Sequence, residues 1–219
     1  MTSQHFFELL SVRAGRAGIP IPTDARPRLW TYVRLLSQWN ETINLTALPL
    51  NPLTGQAVDR LLIEPIAAAR TAGKVSGAWV DVGSGGGSPA IPFKIVQPDA
   101  VLTMVESRAR KAAFLRELLR TLDIPGASVV EDRFESFAGS APPHRVDLIT
   151  VRAVRVDKGL AVAARHLLTP RGRLFLFHSA TSGPEVPAGF QADGQFSLGT
   201  DGEGQLSIIK PMFHVEQSD

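Results

Sequence analysis

The sequence predicts an α/β fold: an open, mostly parallel seven-stranded sheet with helices on both faces, preceded by a helical extension. From residue 78 onward, short runs rich in β-branched and aromatic residues alternate with segments of helical periodicity, which is typical of strands joined by crossover helices. The last two runs are joined by a glycine-rich stretch instead of a helix, so they are expected to add antiparallel strands. Residues 1–55 are expected to form the helical extension, and residues 56–219 the main domain.

The extension is expected to contain two helices, over residues 3–17 and 24–39. In the second, apolar residues recur at helical spacing: Leu29, Val33, Leu36 and Trp39. Residues 48–55 hold two prolines, an asparagine and a glycine, so they are expected to form a loop. A third helix is predicted from residue 56 to residue 72, with Gly73 as its stop signal.

The main domain then alternates between strands and helices. Strands are predicted at 78–82, 101–105, 127–130, 147–151, 173–177, 190–198 and 206–210. Helices are predicted between most of them, at 89–96, 107–122 and 156–168. The strands are nearly continuous in apolar residues, which indicates a sheet that is covered on both faces.

Composition excludes several classes of protein. Apolar residues make up 44% of the chain and charged residues 20%, which is typical of a globular domain. With no cysteine, the chain has no disulfide, no thiolate metal site and no thiol nucleophile. Its first residues lack the pattern of a signal peptide, and no charge-free apolar stretch of about 18 residues occurs. We therefore expect a cytoplasmic protein that uses no metal and no membrane.

Basic side chains are concentrated in the first four-fifths of the chain. Residues 1–175 carry 22 basic and 15 acidic residues, whereas residues 176–219 carry 1 and 6, which together give the formal net charge of +2. The densest basic stretch is 146–175. Such a distribution suits a polyanionic partner such as RNA, because phosphate contacts supply affinity independent of sequence. An ordinary solvated surface is the alternative.

A glycine-rich turn from Gly83 to Ser88 follows the first predicted strand and opens a predicted helix. In an open α/β sheet this is a position where ligands bind. Glycines permit a turn with positive φ and let a ligand approach the backbone, and the helix N-terminus behind them favours a negative group. A purely structural connection is the alternative interpretation.

Three features narrow the ligand to S-adenosylmethionine. The dinucleotide fingerprint needs a third glycine where this chain has Ser88, and no Gly-Lys-Ser/Thr follows as in a P-loop. Asp81 lies within the strand, where it suits a ligand with a cationic sulfonium and an amino group. Glu106 closes the second strand, 23 residues after Gly83, where a carboxylate can accept hydrogen bonds from ribose hydroxyls.

The segment after the third strand is a candidate for the adenine site. Asp132 is placed to accept a hydrogen bond from the exocyclic amine, and Phe134 to flank the ring. Alternatively, Phe134 and Phe137 are core residues of a short helix.

Motifs along most of the chain resemble one known family. They are Trp39-Asn40 with Asn44-Leu45-Thr46, Asp81 through the glycine turn to Ile91-Pro92, Glu106-Ser107 with Arg110-Lys111 and Phe114-Leu115, Asp132 to Glu135, Arg152-Ala153, and Asp201-Gly202-Glu203. This pattern, from about residue 29 to residue 210, resembles the small-subunit ribosomal RNA methyltransferase G family, also called glucose-inhibited division protein B.

The resemblance implies a Rossmann-like class I methyltransferase fold and an S-adenosylmethionine-dependent enzyme that methylates guanine N7 of 16S ribosomal RNA near the decoding centre. Its partner would be 16S ribosomal RNA or the small ribosomal subunit, and we expect it to act as a monomer. Carried over by position, the cofactor-binding residues are Gly83, Gly85, Ser88, Glu106, Ser107, Phe134, Glu135 and Arg152.

We expect no dedicated catalytic base. Guanine N7 already carries an in-plane lone pair, so its methylation removes no proton, and the enzyme need only desolvate and align the base. Arg152, after the fourth strand, is expected where donor and acceptor meet. An ion pair with Glu135 is its alternative role.

The chain departs from the family pattern at three places. It has Leu61 to Pro65 where the family usually has His-x-x-Asp-Ser, Phe177-His178-Ser179 where it usually has Leu-Lys-Gly, and Gly204 where it usually has arginine. His178 is a candidate replacement for the lysine as a donor to phosphate or base. These departures keep two other functions open: transfer to a different acceptor, such as a small molecule or a protein, and RNA binding without catalysis.

Overall fold

The predicted alternation of strands and helices is confirmed by a computed structural model, which describes residues 2–200 and 203–213. The seven strands are β1 Ala78–Val82, β2 Val101–Val105, β3 Ala127–Val130, β4 Val146–Arg152, β5 Leu168–Ser179, β6 Phe190–Leu198 and β7 Gly204–Pro211. They form one sheet in the order β3-β2-β1-β4-β5-β7-β6. The first five strands pair in parallel, and β7 pairs antiparallel with both β5 and β6.

The terminal hairpin places the last strand inside the sheet. β7 lies between β5 and β6, so β6 is the edge strand. β5 is longer than predicted, because it begins at Leu168 directly after the preceding helix. The glycine-rich connection between β6 and β7 includes Asp201 and Gly202, which lie outside the described residues, so the expected motif at 201–203 is described only at Glu203.

The N-terminal helices form close to the predicted positions. Helix α1 is Ser3–Arg16 and α2 is Ala25–Asn40. The predicted helix at 56–72 is a continuous helical stretch with an unexpected interruption: α3 Gly55–Val58, a π-helical turn Asp59–Ile63, and α4 Glu64–Ala72. It ends at Gly73, whose φ of +72° and ψ of −155° form a backbone conformation that glycine adopts without strain.

Helices in the main domain cover the two faces of the sheet. They are α5 Ala90–Val96, α6 Ala109–Leu122, α7 Phe134–Ser140 and α8 Lys158–Leu167. Helix α7 is the short helix that was expected as the alternative to an adenine site after β3. The larger hydrophobic core joins α1 to α6 with one face of the sheet, and the smaller core joins α7 and α8 with the other.

Side chains alternate between these two cores along the central strands, as the pleat of a strand requires. In β1, Trp79 belongs to the larger core, whereas Val80 and Val82 belong to the smaller one. In β4, Leu148 packs into the larger core and Ile149 into the smaller. This alternation puts Asp81, two residues after Trp79, on the face that is covered by the N-terminal helices.

A buried polar cluster ties α1 to the π-helical turn. The Arg13 guanidinium on α1 donates hydrogen bonds to both carboxylate oxygens of Asp59. The Thr200 hydroxyl, after β6, donates to Asp59 Oδ2 at 2.7 Å. The cluster therefore joins the helical extension, the π-helical turn and the terminal hairpin. Within the described part of the chain, no helix is long and apolar enough to cross a membrane.

Candidate active site

A crevice opens where the order of the strands reverses. β1 connects onward to β2 on one side, whereas β4 lies on its other side, and the carboxyl ends of β1 and β4 meet at this switch point. The crevice there has a volume of about 340 Å³. Four of the predicted cofactor-binding residues line it: Gly83, Gly85, Ser88 and Arg152.

The glycine turn forms the floor of the crevice. Gly83 has φ of +65°, and a Cβ there would lie 2.7 Å from Val154 Cγ2, so the turn has no room for a side chain at this position. Gly85 has φ of +51°, and a Cβ on Gly85 would have the Gly83 carbonyl oxygen as its nearest neighbour, at 3.6 Å. The space beside Gly85 is therefore part of the crevice.

Asp81 has a buried carboxylate oxygen that makes no hydrogen bond within the described part of the chain. Its Oδ1 accepts a hydrogen bond of 2.5 Å from the Thr150 hydroxyl, which itself accepts one of 2.9 Å from Trp79 Nε1. Its Oδ2 has no hydrogen-bond partner among the described residues. Burial raises the pKa of Asp81 to about 6. A buried carboxylate oxygen without a partner is costly, so this atom suits a cationic donor from a ligand.

Glu106 braces the glycine turn from the end of β2. Its Oε2 accepts a hydrogen bond of 2.9 Å from Gly85 N, and its Oε1 accepts one of 2.9 Å from Arg108 N. Each carboxylate oxygen can accept a further bond. Glu106 is therefore held in one orientation by the backbone and still able to accept hydrogen bonds from hydroxyl groups.

Arg152 lies at the end of β4 and is surrounded by partners. Its Nη1 donates to the Arg60 carbonyl oxygen at 2.5 Å and to Ser88 Oγ at 3.3 Å, and its Nη2 donates to Glu64 Oε2 at 2.5 Å. Its guanidinium also lies 5.6 Å from the centre of the Phe177 ring. Burial lowers the pKa of Arg152, and the Glu64 carboxylate opposes this shift. The alternative ion pair with Glu135 is wrong: the acidic partner of Arg152 is Glu64.

The crevice is not lined by the other four predicted cofactor-binding residues, Glu106, Ser107, Phe134 and Glu135. The Phe134 ring is buried in the smaller core, beneath α7 and α8. Glu135 is exposed at a groove between these two helices, and Ser107 is exposed beyond β2. Asp132 is also exposed, and its Oδ1 accepts a hydrogen bond from Arg133 N. The structure thus brings together the residues of β1, the glycine turn, β2 and β4, but not the side chains that follow β3.

The helical extension supplies a wall of the crevice that sequence reasoning did not assign. Leu36 on α2 and the segment from Leu45 to Leu48 line it. Asn40 shapes this segment: its Oδ1 accepts from Leu45 N and Thr46 N at 2.9 Å, and its Nδ2 donates to Thr46 O at 3.1 Å. An asparagine at the end of a predicted helix was the signal for such a turn.

Two basic residues were also missed. Lys111 on α6 lines the crevice, and its Nζ lies 4.0 Å from the position of a Cβ on Gly85. Arg60 lines the crevice from the π-helical turn. The helical pattern of the sequence predicts neither position, because it does not show which face of each helix meets the glycine turn.

Tyr32 links α2 to the glycine turn. The side chain is fully buried, and its hydroxyl donates a hydrogen bond of 2.9 Å to Gly86 O. Burial raises the pKa of Tyr32 above its ordinary value, so the hydroxyl stays protonated and remains a donor.

Tyr32→Phe is expected to lower the free energy of unfolding by about 1 kcal/mol, because it removes this buried hydrogen bond and little else. Urea unfolding followed by circular dichroism measures the change. Ser140→Ala is the control, since the Ser140 hydroxyl makes an exposed local bond to Phe137 O and its loss should change stability by less than about 0.5 kcal/mol. Equal effects for the two variants would contradict a stabilising role for the Tyr32 hydroxyl.

A second cavity of about 460 Å³ adjoins the crevice. The two share Arg60, Arg152, Ala153 and Val154 as lining residues, so these residues form the wall between them. Phe177, His178 and Arg155 also line the second cavity. Its basic side chains suit an anionic ligand.

His178 has both ring nitrogens engaged within the protein. Nδ1 lies 2.8 Å from Ser179 O, and Nε2 lies 2.8 Å from Ser207 Oγ. As a neutral ring it donates through Nδ1 to the carbonyl and accepts through Nε2 from the hydroxyl. His178 is therefore held in the wall of the cavity, and neither nitrogen is left over as a donor of the kind that a lysine would provide. Among the described residues, no group of three histidine, aspartate or glutamate side chains is placed to hold a metal ion.

The chain is similar to known proteins over most of its length. The GidB family model, described as rRNA small subunit methyltransferase G, matches residues 26–193. Two relatives named "Ribosomal RNA small subunit methyltransferase G" are similar over most of both chains. The protein of Xanthomonas axonopodis pv. citri (strain 306) is 36% identical over 190 residues, covering 83% of this chain and 85% of its own. That of Xanthomonas campestris pv. campestris (strain 8004) is 34% identical over 197 residues, covering 86% and 88%.

Solved structures share the fold at low sequence identity. A structure described as "a SAM dependent methyltransferase from Aquifex aeolicus" superposes with a TM-score of 0.60 at 12% identity and covers 81% of this chain and 98% of its own. This likeness shows the Rossmann-like methyltransferase fold that the sequence predicted. Because the family model and both relatives match most of its length, the chain belongs to the rRNA small subunit methyltransferase G family.

Proposed function

We propose that this protein is a methyltransferase that uses S-adenosylmethionine to methylate N7 of a guanine in 16S ribosomal RNA. The observation that carries the proposal is the pair of adjoining cavities. One lies over the glycine turn, the other has a basic lining, and Arg152 lines both. Membership of the family supplies the ribosomal RNA substrate.

The residues of the crevice, together with two buried carboxylates that adjoin the glycine turn, fit S-adenosylmethionine. The unpartnered Oδ2 of Asp81 would accept a hydrogen bond from the amino group, and Glu106 would accept hydrogen bonds from the ribose hydroxyls. Gly83 and Gly85 leave the floor of the crevice open, as a ligand in contact with the backbone requires. Bound there, S-adenosylmethionine supplies an electrophilic methyl group.

The other proposed cofactor contacts surround the glycine turn. Ser88 and Arg152 line the crevice at its border with the second cavity. Ser107, Phe134 and Glu135 follow β2 and β3, and since their side chains point elsewhere we propose that they contribute main-chain groups to the adenosine. Lys111 joins the set, since its ammonium group stands beside Gly85 at the crevice.

The second cavity would hold the guanine. Phe177 lines this cavity, and the guanidinium of Arg152 lies over its ring. Arg155 and Arg60 give the cavity a positive charge suited to RNA phosphates. Guanine N7 is a lone-pair acceptor that needs no deprotonation, so these residues act by desolvating and aligning the base. Such a reaction requires no catalytic base, and we assign none.

The substrate would be either free 16S ribosomal RNA or the small subunit, and the protein would act in the cytoplasm as a monomer. The direct test incubates the protein with tritium-labelled S-adenosylmethionine and small subunits from a strain that lacks the modification, then maps the labelled nucleotide by mass spectrometry. Label on N7 of a single guanine is expected. Cofactor binding without label in RNA would indicate a different acceptor, and the absence of cofactor binding would indicate a non-catalytic RNA-binding protein.

Binding of S-adenosylmethionine is expected to weaken in mildly acidic solution. The pKa of Asp81 is raised to about 6, so the carboxyl is charged above that pH and protonated below it. The cationic amino group prefers the charged carboxylate, hence the affinity should be constant between about pH 6 and pH 7 and fall about tenfold for each pH unit below pH 6. Calorimetry between pH 5 and pH 8 measures the profile. Asp81→Asn should bind more weakly at pH 7 and lose this dependence, and an unchanged slope in that variant would assign the titration to another group.

A further inference from the structure

Glu64 holds a buried carboxylate between two arginines at the border of the two cavities. It begins α4, directly after the π-helical turn, and its side chain is only 3% exposed. Its carboxylate accepts hydrogen bonds from Arg152 Nη2 at 2.5 Å and from Arg60 Nη1 at 3.2 Å. A carboxylate so deeply buried is stable only with such partners.

The absence of a side chain at Gly204, in the terminal hairpin, leaves space for the Glu64 carboxylate. A Cβ at Gly204, the first residue of β7, would lie 2.5 Å from Glu64 Cδ and closer still to its Oε1. No side chain longer than a hydrogen atom can therefore occupy position 204 while Glu64 keeps its place. The backbone of β7 packs against the carboxylate and limits it to the direction of the two arginines.

Arg60 and Arg152 connect the buried Glu64 carboxylate to the two cavities. Both line the crevice and the second cavity. Arg152 also bonds Ser88 Oγ and the Arg60 carbonyl oxygen, so its guanidinium is fixed in the wall between the cavities. The direction of that guanidinium is set from behind by Glu64.

We propose that Glu64 is a positioning residue for methyl transfer, which acts through Arg152 and Arg60 and which Gly204 keeps in place. The role rests on the proposed function, since it is the alignment of cofactor and base across this wall that Glu64 would control. Glu64 itself lines neither the crevice nor the second cavity, and it faces a small pocket beneath the hairpin.

Glu64→Gln is the first test, because it keeps the size of the side chain and removes the charge that orients both arginines. We expect kcat for methylation of small subunits to fall about 100-fold, as for a misplacement of about 1 Å at a reacting centre. The affinity for S-adenosylmethionine, measured by calorimetry, should fall by less than about tenfold, because only the contact at Arg152 is displaced while Asp81 and the glycine turn remain intact.

Asp59→Asn is the matched control. Asp59 is a buried carboxylate on the adjacent turn and is also paired with an arginine, but it lines neither large cavity. If Glu64 is merely structural, the two variants will lose similar stability and keep similar kcat. A kcat loss confined to Glu64→Gln supports positioning, and equal kcat values in the two variants would overturn it.

Gly204→Ala is a second test, because it perturbs the Glu64 carboxylate from the hairpin and leaves Glu64 and both arginines unmutated. It should lower kcat in the same direction as Glu64→Gln, because the new methyl group displaces the carboxylate. An unchanged kcat in this variant would contradict the role assigned to Gly204.

A readout without catalysis separates this inference from the proposed function. The side-chain Nε–H signal of Arg152 in nuclear magnetic resonance spectra, assigned by its loss in Arg152→Lys, should be sharp in the wild-type protein and in Asp59→Asn, and broadened or shifted in Glu64→Gln. Suppose that the three proteins give these signals but the wild-type protein methylates no RNA. That result would refute the proposed function and still support Glu64 as the group that orients Arg152. An Arg152 signal unaffected by Glu64→Gln would refute the positioning role whatever the activity.

Discussion

Gly85→Asp is expected to reduce the affinity for S-adenosylmethionine by at least about 100-fold while the protein stays folded. The backbone at Gly85 has φ of +51°, which aspartate tolerates better than most residues, and the atom nearest to the new Cβ would be 3.6 Å away. The added carboxylate would, however, occupy the crevice beside Glu106, whose own carboxylate bonds Gly85 N. Two carboxylates so close together repel each other, and the ligand loses its space.

Calorimetry with S-adenosylmethionine measures this loss, and circular dichroism checks the fold. Gly139→Asp provides the control, since Gly139 is an exposed glycine on α7 where a Cβ would have nothing within 4 Å. Normal cofactor binding by Gly85→Asp would mean that the ligand does not lie over the glycine turn.

Arg152→Met is expected to lower the free energy of unfolding at pH 7 by about 3 kcal/mol. The change leaves the Glu64 carboxylate buried with Arg60 as its remaining arginine partner, and breaking a buried ion pair from one side costs about 3–5 kcal/mol. Urea unfolding measures the loss. Removal of both charges in Arg152→Met with Glu64→Met should restore part of it, because no unpaired carboxylate then remains.

An exposed ion pair supplies the comparison. Arg116 and Glu131 are about 49% and 39% exposed, and Arg116→Met should cost less than about 1 kcal/mol. If Arg152→Met costs no more than this, the contact with Glu64 does not stabilise the fold.

Much of the fold is predictable because each of the first three strands can be recognised from its own residues and the turns beside it. The runs at 78–82, 101–105 and 127–130 coincide with β1, β2 and β3, since apolar β-branched residues between turn signals indicate buried strands. The π-helical turn at Asp59–Ile63 was not predictable in this way. It adds one residue to a turn of an otherwise helical stretch, and its stability comes from contacts of Asp59 with Arg13 and Thr200, which are distant in sequence.

The candidate site likewise contains some residues that local sequence predicts and others whose contacts are distant in sequence. Gly83, Gly85 and Glu106 are predictable because they lie at the ends of adjacent strands, where spacing along the chain fixes position in space. The partner of Arg152 is Glu64, 88 residues earlier, and no local pattern relates the two. Phe134 follows β3 at the expected distance, but its ring is buried in the smaller core, because the spacing along the chain does not determine the direction of a side chain.

The turn that Asn40 builds has a consequence for the boundary at residue 55. Leu36, Leu45 and Thr46, all before that boundary, form one side of the crevice, and the Tyr32 hydroxyl bonds the glycine turn itself. A shortened protein that starts at residue 56 would keep every strand of the sheet yet have half a binding cleft open to water. We therefore expect the first 55 residues to be needed for ligand binding and not to behave as an independent module.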